Sequence, residues 1–434
     1  MRITNILILL ISYSTMAQDL PRRASWNASF KKLEGDIGVM ITSLEIDGSL
    51  HKAGFETGDI IIKVNDRLIY SSESWTSATY GLRAENKTNI LFKRGVKVIS
   101  KSIRFRPLPF EEHEGINTYY EHITNDYGIR QRVLITKPKN IQGKQPAIFL
   151  IQGLSCSSIE NYGALQHNWA RQINDIVEKS GMVVMRVEKP GVGDSEGDCA
   201  KTDFKTELEG YRAAIRLLKQ KPYVDSTKIV VYGSSMGSAL APLIANEYNL
   251  SGVISDGTFF KTWFEHMLEI ERRIRKMSGD NESTIRQKMN QGYIPLYFGM
   301  LIEKKSYSKI IDENPSITEF NYHSPNHMYG RPLEYYQQLQ DYDLAKEWEN
   351  LKAPIRILYG TNDWIMSKSD NYMIIDMLDN VGHQDHQLHL YPGLDHWNTI
   401  HISPKDSFQG KPGKWDPKVP ELIISWAKEM VEKE

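Results

Sequence analysis

Ile229-Val230-Val231-Tyr232-Gly233-Ser234-Ser235-Met236-Gly237-Ser238-Ala239-Leu240-Ala241 is the stretch on which the reading of this chain turns. The apolar, largely β-branched start predicts a buried strand, and the alanine-rich end predicts a helix. Between them the backbone must turn within a few residues. Glycines at 233 and 237 permit it, because a side chain at either place would strike the crowded turn. Such a turn raises a serine at the carboxyl end of a strand and beside a helix N-terminus. Ser235 is central in the glycine frame and is the candidate nucleophile; its neighbour Ser234 is not.

A serine hydroxyl is a weak nucleophile at neutral pH, so it needs a base, and the base needs an orienting carboxylate. Two later loops supply them in the order acid, then histidine. The strand Ile355-Arg356-Ile357-Leu358-Tyr359 runs into Gly360-Thr361-Asn362-Asp363-Trp364, which makes Asp363 the candidate acid. The strand Leu388-His389-Leu390-Tyr391 runs into Pro392-Gly393-Leu394-Asp395-His396-Trp397, which makes His396 the candidate base and gives Asp395 a loop-shaping role. Asp256, after the strand Val253 to Ser255, is the alternative acid. The negative charge of a tetrahedral intermediate needs backbone N–H donors. Met236, directly after the nucleophile, offers one. Leu154, after the strand Ala147 to Ile151, offers the other, with Gly153 letting the chain turn.

Further apolar runs at Arg132 to Ile135 and Met182 to Val187 read as strands. Leu208, Tyr211, Ile215 and Leu218 fall at helical spacing. Alternating strands and helices predict an α/β fold with a mostly parallel sheet covered on both faces. Residues of about 259–345 break the alternation and are rich in aromatic and charged groups, so they predict an inserted helical lid. Together these features resemble the α/β-hydrolase family over residues 118–434. Lys189-Pro190-Gly191-Val192-Gly193-Asp194-Ser195-Glu196-Gly197 is similar to the turn after the fourth strand in many of its esterases and peptidases. Gln152 departs from the pattern, since His often precedes the oxyanion glycine there.

A small β-rich unit stands upstream, at residues 30–106. Gly48-Ser49, Ala53-Gly54-Phe55, Gly58-Asp59-Ile60-Ile61 and Val64-Asn65 resemble a PDZ domain of the bacterial type. Helix is expected from Trp75 to Arg83, and Pro107-Leu108-Pro109 reads as a linker. The resemblance implies binding of a peptide C-terminus by strand addition, with a carboxylate-binding loop at Asp36, Ile37, Gly38 and Val39. The alternative is a module that only docks on its neighbour.

The chain has 434 residues, room for two or three domains. Its 40% hydrophobic and 25% charged content is that of a globular protein, and 53 Lys+Arg against 54 Asp+Glu gives no global pull toward nucleic acid or an anionic membrane. Arg2, the apolar run Ile6 to Ile11 and Thr15-Met16-Ala17 read as a signal peptide over residues 1–17, which predicts a periplasmic or extracellular protein. That run is too short for a mature membrane span, and no Cys follows the cleavage site, so no stable membrane anchor is expected. Cys156 and Cys199 lie on loops expected to leave one sheet edge, where they would form a disulfide or remain two small buried hydrophobes. His383, His386 and His389 approach a strand of period two and would not share a face; His323 and His327 read as loop residues. With no phosphate loop, zinc spacing or dinucleotide fingerprint, neither a metal nor a cofactor is expected. The function expected is therefore a secreted serine hydrolase cleaving carboxylic esters through an acyl-enzyme, its substrate a small-molecule ester or a peptide. A serine peptidase of the same fold is one alternative. It would need carboxylates for the substrate amine, and the lid carries Glu303, Asp312 and Glu313. A non-catalytic peptide-binding protein is the other.

Overall fold

The structure is a computed structural model that describes residues 19–33, 37–161, 167–321 and 327–432. The expected signal peptide lies outside the described residues, as do Asp36 of the expected carboxylate loop and His323. Eight strands form the main sheet: β1 Ile116–Thr124, β2 Arg130–Pro138, β3 Gln145–Ile151, β4 Val183–Val187, β5 Val224–Ser234, β6 Gly252–Asp256, β7 Ile355–Gly360 and β8 His386–Tyr391. Their spatial order is β1-β2-β4-β3-β5-β6-β7-β8. The pairs β1–β2 and β2–β4 are antiparallel and the rest parallel.

Period-two alternation divides each central strand between two cores. Ala147, Phe149 and Ile151 of β3 pack with Phe204, Leu208 and Ala239 on one face. Ile148 and Leu150 pack with Ile173, Ile176, Ile423 and Trp426 on the other. The helices Phe204–Gln220 and Met236–Tyr248 thus cover one face, and Asn168–Lys179 and Lys418–Glu432 cover the opposite one. β1 escapes the sequence pattern because Ile123 is its one buried residue, so it carries no apolar run.

Between β6 and β7 the chain leaves the sheet. It forms helices that include Trp263–Met277, Glu282–Lys288, Leu333–Gln340 and Leu344–Asn350, with a short hairpin of His327–Met328 and Arg331–Pro332 off the main sheet. Thr262 and Glu265 close a capping box at the first of these helices. The helical segment runs to Asn350, five residues past the expected limit, because Leu344 and Trp348 remain buried there.

The N-terminal unit has a sheet in the order Ala28–Lys32, Val39–Leu44, Ile60–Val64, Lys87–Arg94, Lys97–Arg104. Its longer helix is Ser72–Thr79, shorter at its end than the sequence suggests. The expected peptide-binding stretch needs correction. Val39 is buried and is paired on both sides, with Lys32 and with Ile61, so no strand can be added there. A Cβ on Gly38 would lie 2.7 Å from the Ile61 carbonyl oxygen, and Ile37 is solvent-exposed. The edge strand beside the helix is instead Ala28–Lys32, one strand upstream. Trp75 of the helix packs beside it, with ring centroids 4.8 Å from Phe30 and 5.1 Å from Trp26.

A buried charge cluster joins this unit to the main sheet. The Asp194 carboxylate accepts from Arg22 at 2.6 Å, from the Arg23 backbone N–H at 2.9 Å and from Arg132 at 3.3 Å. Glu160 accepts from Arg22 at 2.6 Å and from Arg23 at 2.7 Å. Arg83 donates to the Ser195 carbonyl at 2.9 Å. Deleting one member of such a cluster strands the others in a poor solvent for charge. Asp194→Asn is therefore expected to destabilise the protein by about 3–5 kcal/mol in urea unfolding, well beyond a surface exchange.

The structure joins Cys156 and Cys199 in a disulfide, with Cα atoms 6.0 Å apart and a sequence separation of 43. A closure of that length stabilises by about 4 kcal/mol on chain-entropy grounds. Reductant should lower the melting temperature, and mass spectrometry after alkylation should find no free thiol in the unreduced protein.

Candidate active site

β5 ends at Ser234 and the helix Met236–Tyr248 begins two residues later. Ser235 sits between them with φ +55°, in the left-handed region that non-glycine residues rarely occupy. The two glycines explain how the turn closes. A Cβ on Gly233 would lie 2.2 Å from the Gly237 carbonyl oxygen, and one on Gly237 would lie 2.1 Å from the Ile151 carbonyl oxygen. The Ser235 N–H donates to the Asp256 carbonyl at 2.9 Å, which ties the turn to the end of β6.

His396 Nε2 is 2.9 Å from Ser235 Oγ, and His396 Nδ1 is 2.8 Å from Asp363 Oδ2. Asp363 is itself held, since its Oδ1 accepts the N–H groups of Ile365 at 2.8 Å and Met366 at 2.9 Å. The three side chains named from sequence thus form one hydrogen-bonded chain across three loops. The backbone at Gly257 passes close beneath it. A Cβ there would lie 3.3 Å from both Asp363 Oδ2 and His396 Nδ1, on a residue whose φ is +62°.

Asp256, the alternative acid, is placed elsewhere. Its Oδ2 accepts from the Tyr232 hydroxyl at 3.0 Å and from Gln172 at 3.3 Å. Burial pushes its carboxyl up to about 6. Asp395 receives the N–H groups of Trp397 and Thr399, both at 2.9 Å, and the Ser407 hydroxyl at 2.7 Å, so it braces the histidine loop.

The loop after β3 passes close to the nucleophile, for a Cβ on Gly153 would lie 3.1 Å from Ser235 Cβ. Leu154, next along, packs against the larger core. Met236 opens the helix and is buried. Gln152, where the family often has His, turns its amide to the Val187 carbonyl at 3.3 Å, behind the loop. Two residues that the sequence did not single out also meet this loop. Lys189 Nζ donates to the carbonyls of Gly153 and Ser155, and the Tyr80 hydroxyl donates to the Cys156 carbonyl at 3.1 Å. Neither has a sequence signal of its own, since Lys189 reads as one charge in a turn and Tyr80 as one aromatic in another domain.

From the lid, His266 stacks on Phe259 at 4.5 Å and lies 5.0 Å from Trp263. Burial, and after it the charges of Arg273 and His396, hold its imidazole well below the ordinary range, so it is neutral. Of the histidines set aside, His383 faces the Ala353 carbonyl at 3.0 Å and His327 the Ala200 carbonyl at 3.2 Å. His386 and His389 stand three apart on β8, which puts them on opposite faces. Among the described residues no cluster of His, Cys, Asp or Glu could hold a metal ion. No helix of these residues is long and apolar enough to cross a membrane.

Comparison with known proteins agrees with this architecture. The family described as serine aminopeptidase, S33, matches residues 163–400, more than half of the chain, and the PDZ domain family matches residues 26–104. The esterase EstD of Thermotoga maritima is 22% identical over 263 residues, which cover 60% of this chain and 56% of that protein. The chain thus spans little more than half the length of this curated relative. Among solved structures, Est1E from Butyrivibrio proteoclasticus with bound ferulic acid is 16% identical, covers 72% of this chain and 100% of its own, and superposes with a TM-score of 0.46. A proline iminopeptidase of Mycobacterium smegmatis is 13% identical, covers 72% of this chain and 99% of its own, and has a TM-score of 0.43.

The His396 environment sets opposing effects on its charge. Burial lowers its pKa, but the Asp363 carboxylate at 2.8 Å, with Asp256 and Asp395 farther off, outweighs that and raises it above 6.5. In an NMR titration the His396 resonance should therefore move above pH 6.5 in the native protein. Asp363→Asn should bring that midpoint down, since it removes the favourable charge and leaves the burial.

Proposed function

The chain belongs to the S33-type serine aminopeptidase family of α/β hydrolases, and from that premise we propose that it is a serine esterase with Ser235 as nucleophile, His396 as base and Asp363 as orienting acid. The observation that carries this reading is the hydrogen-bonded chain Ser235–His396–Asp363, with the serine in a strained left-handed conformation. Ser235 Oγ attacks the ester carbonyl carbon as its proton passes to His396 Nε2. The carbonyl oxygen takes the electron pair and is met by the N–H groups of Leu154 and Met236. When the intermediate collapses, the C–O bond to the alcohol breaks and His396 returns the proton to the departing alkoxide. Water, activated in turn by His396, then releases the acid from the acyl-enzyme. Asp363 stays ionised throughout, fixing the Nδ1–H tautomer and stabilising the imidazolium.

Two features favour an ester over a peptide with a free amine. Glu303, Asp312 and Glu313 are solvent-exposed, and Glu303 and Glu313 both pair with Lys305 at 2.9 and 2.6 Å. The lid group of Phe259, Trp263 and neutral His266 carries no anion for an ammonium group. EstD, an esterase by name, fits the same reading. We further propose that the protein works outside the cytoplasm. Its N-terminal sequence reads as a signal, and a disulfide lasts in an oxidising compartment. Its PDZ domain would take a peptide along the open edge of Ala28–Lys32.

A fluorophosphonate probe should label Ser235. Ser235→Ala and His396→Ala should each lower kcat/KM by about 10⁴-fold or more while the protein stays folded, because these groups act as a unit. Asp363→Asn should cost less. In a panel of p-nitrophenyl esters and aminoacyl anilides, turnover is expected for the esters. Turnover of the anilides alone would reverse the assignment to the peptidase reading, and absence of labelling and turnover together would leave a binding protein.

A further inference from the structure

Three of the four carbonyl groups between Gly153 and Cys156 are held from outside the loop. Lys189 Nζ takes those of Gly153 and Ser155, the latter at 3.1 Å, and the Tyr80 hydroxyl takes that of Cys156 at 3.1 Å. The Cys156 side chain is fixed by its bond to Cys199. This loop passes beside Ser235.

The geometry of a peptide group gives these ties a direction. The Gly153 C=O and the Leu154 N–H belong to one trans peptide plane and point opposite ways. Holding the oxygen therefore aims the N–H. A cation on the oxygen also draws electron density through the amide, which makes the N–H a stronger donor. The Lys189 side chain is fully buried and is flanked by Glu207 Oε1 at 3.4 Å. Arg331, from the lid hairpin, donates to the same glutamate and to Cys199 Sγ. The ammonium group is thus anchored on one side and spends its remaining donors on the loop.

We propose that Lys189 and Tyr80 are positioning residues for turnover: Lys189 aims and polarises the Leu154 N–H across the Gly153–Leu154 peptide plane, and Tyr80 fixes the far end of the same loop from the PDZ domain. The inference rests on the serine hydrolase reading and adds a role for a residue outside the hydrolase domain. Tyr80 stands directly after the PDZ helix Ser72–Thr79, so the domain that would receive a peptide also helps to set the oxyanion loop.

Three measurements test this on the full-length protein: kcat and KM for an ester substrate, and Ki for an alkyl trifluoromethyl ketone, whose adduct with Ser235 places an oxyanion where the tetrahedral intermediate has one. Lys189→Met keeps an unbranched stem out to Cε, removes the ammonium group and leaves Glu207 paired with Arg331. It should lower kcat by about 10²-fold, the size of losing one oxyanion donor, with KM within about threefold. Ki should rise in parallel with the fall in kcat/KM. Tyr80→Phe removes one neutral hydrogen bond and should lower kcat by roughly 3–10-fold, again with a matching rise in Ki. A residue needed only for folding would shift the melting temperature and leave Ki unchanged. A folded Lys189→Met variant with wild-type kcat and Ki overturns the proposal. If that variant does not fold, wild-type kcat and Ki in Tyr80→Phe overturn it. A wild-type protein that takes no fluorophosphonate label at Ser235 would sink the esterase reading and this inference together, whereas normal labelling with unaffected variants removes only the inference.

Discussion

The passage of the Gly237 backbone against the end of β3 is the constraint on which the site depends. A Cβ at Gly237 would lie 2.1 Å from the Ile151 carbonyl oxygen, so no other residue fits there without displacing a central strand. That contact brings the serine turn and the loop after β3 together. It also forces Ser235 into its left-handed conformation, at a cost of order 1–3 kcal/mol that the surrounding core must offset. The core can do so because the helix is buried without interruption from Met236 to Ala245. Packing on β5 and β3 thus holds the strained residue in place, and the hydroxyl is presented to His396 before any substrate arrives.

A second organising element is the turn from Glu188 to Gly197, after β4. Nearly every polar residue in it faces a different partner. Glu188 meets the Ser158 hydroxyl and the Ile159 N–H, and burial pushes its carboxyl up to about 7. Lys189 meets the oxyanion loop, and burial brings its ammonium down to about 8. Asp194 gathers the arginines of the N-terminal segment and Arg132. Ser195 receives the Arg132 N–H at 2.9 Å, and Glu196 pairs with Arg130. The positive φ of Gly191 and Gly193 lets the chain fold tightly enough to do this, for a Cβ at Gly191 would lie 2.4 Å from the Cys199 nitrogen.

The features legible in the sequence were those whose physics is local. Glycines flanking a serine, a strand before it and a helix after it are all written within thirteen residues, and Asp363 and His396 each follow a strand of their own. The edge strand beside the PDZ helix was not legible, because Ala28-Ser29-Phe30-Lys31-Lys32 has one large apolar residue in five and a weak strand signal. The loop Asp36 to Val39 followed from the resemblance alone, and it is the pairing of Val39 with Lys32 and with Ile61 that closes the edges there. Lys189 was hidden for a different reason. Its partners are backbone carbonyls, and any sequence supplies those.

The seam between the PDZ and hydrolase domains bears on how separable they are as inherited parts. Asp194 and Glu160 belong to the hydrolase, and most of the charge that neutralises them arrives from Arg22 and Arg23, just upstream of the PDZ domain. A hydrolase cut loose at the Pro107–Pro109 linker would leave Asp194 to its own Arg132 and Glu160 to the Tyr120 hydroxyl. A foreign PDZ domain spliced into that place would have to leave Arg22 and Arg23 in the seam and offer a tyrosine to the Cys156 carbonyl. Such a boundary resists shuffling: the linker marks where the chain could be divided, while the buried charges fix the two domains as a single unit of descent.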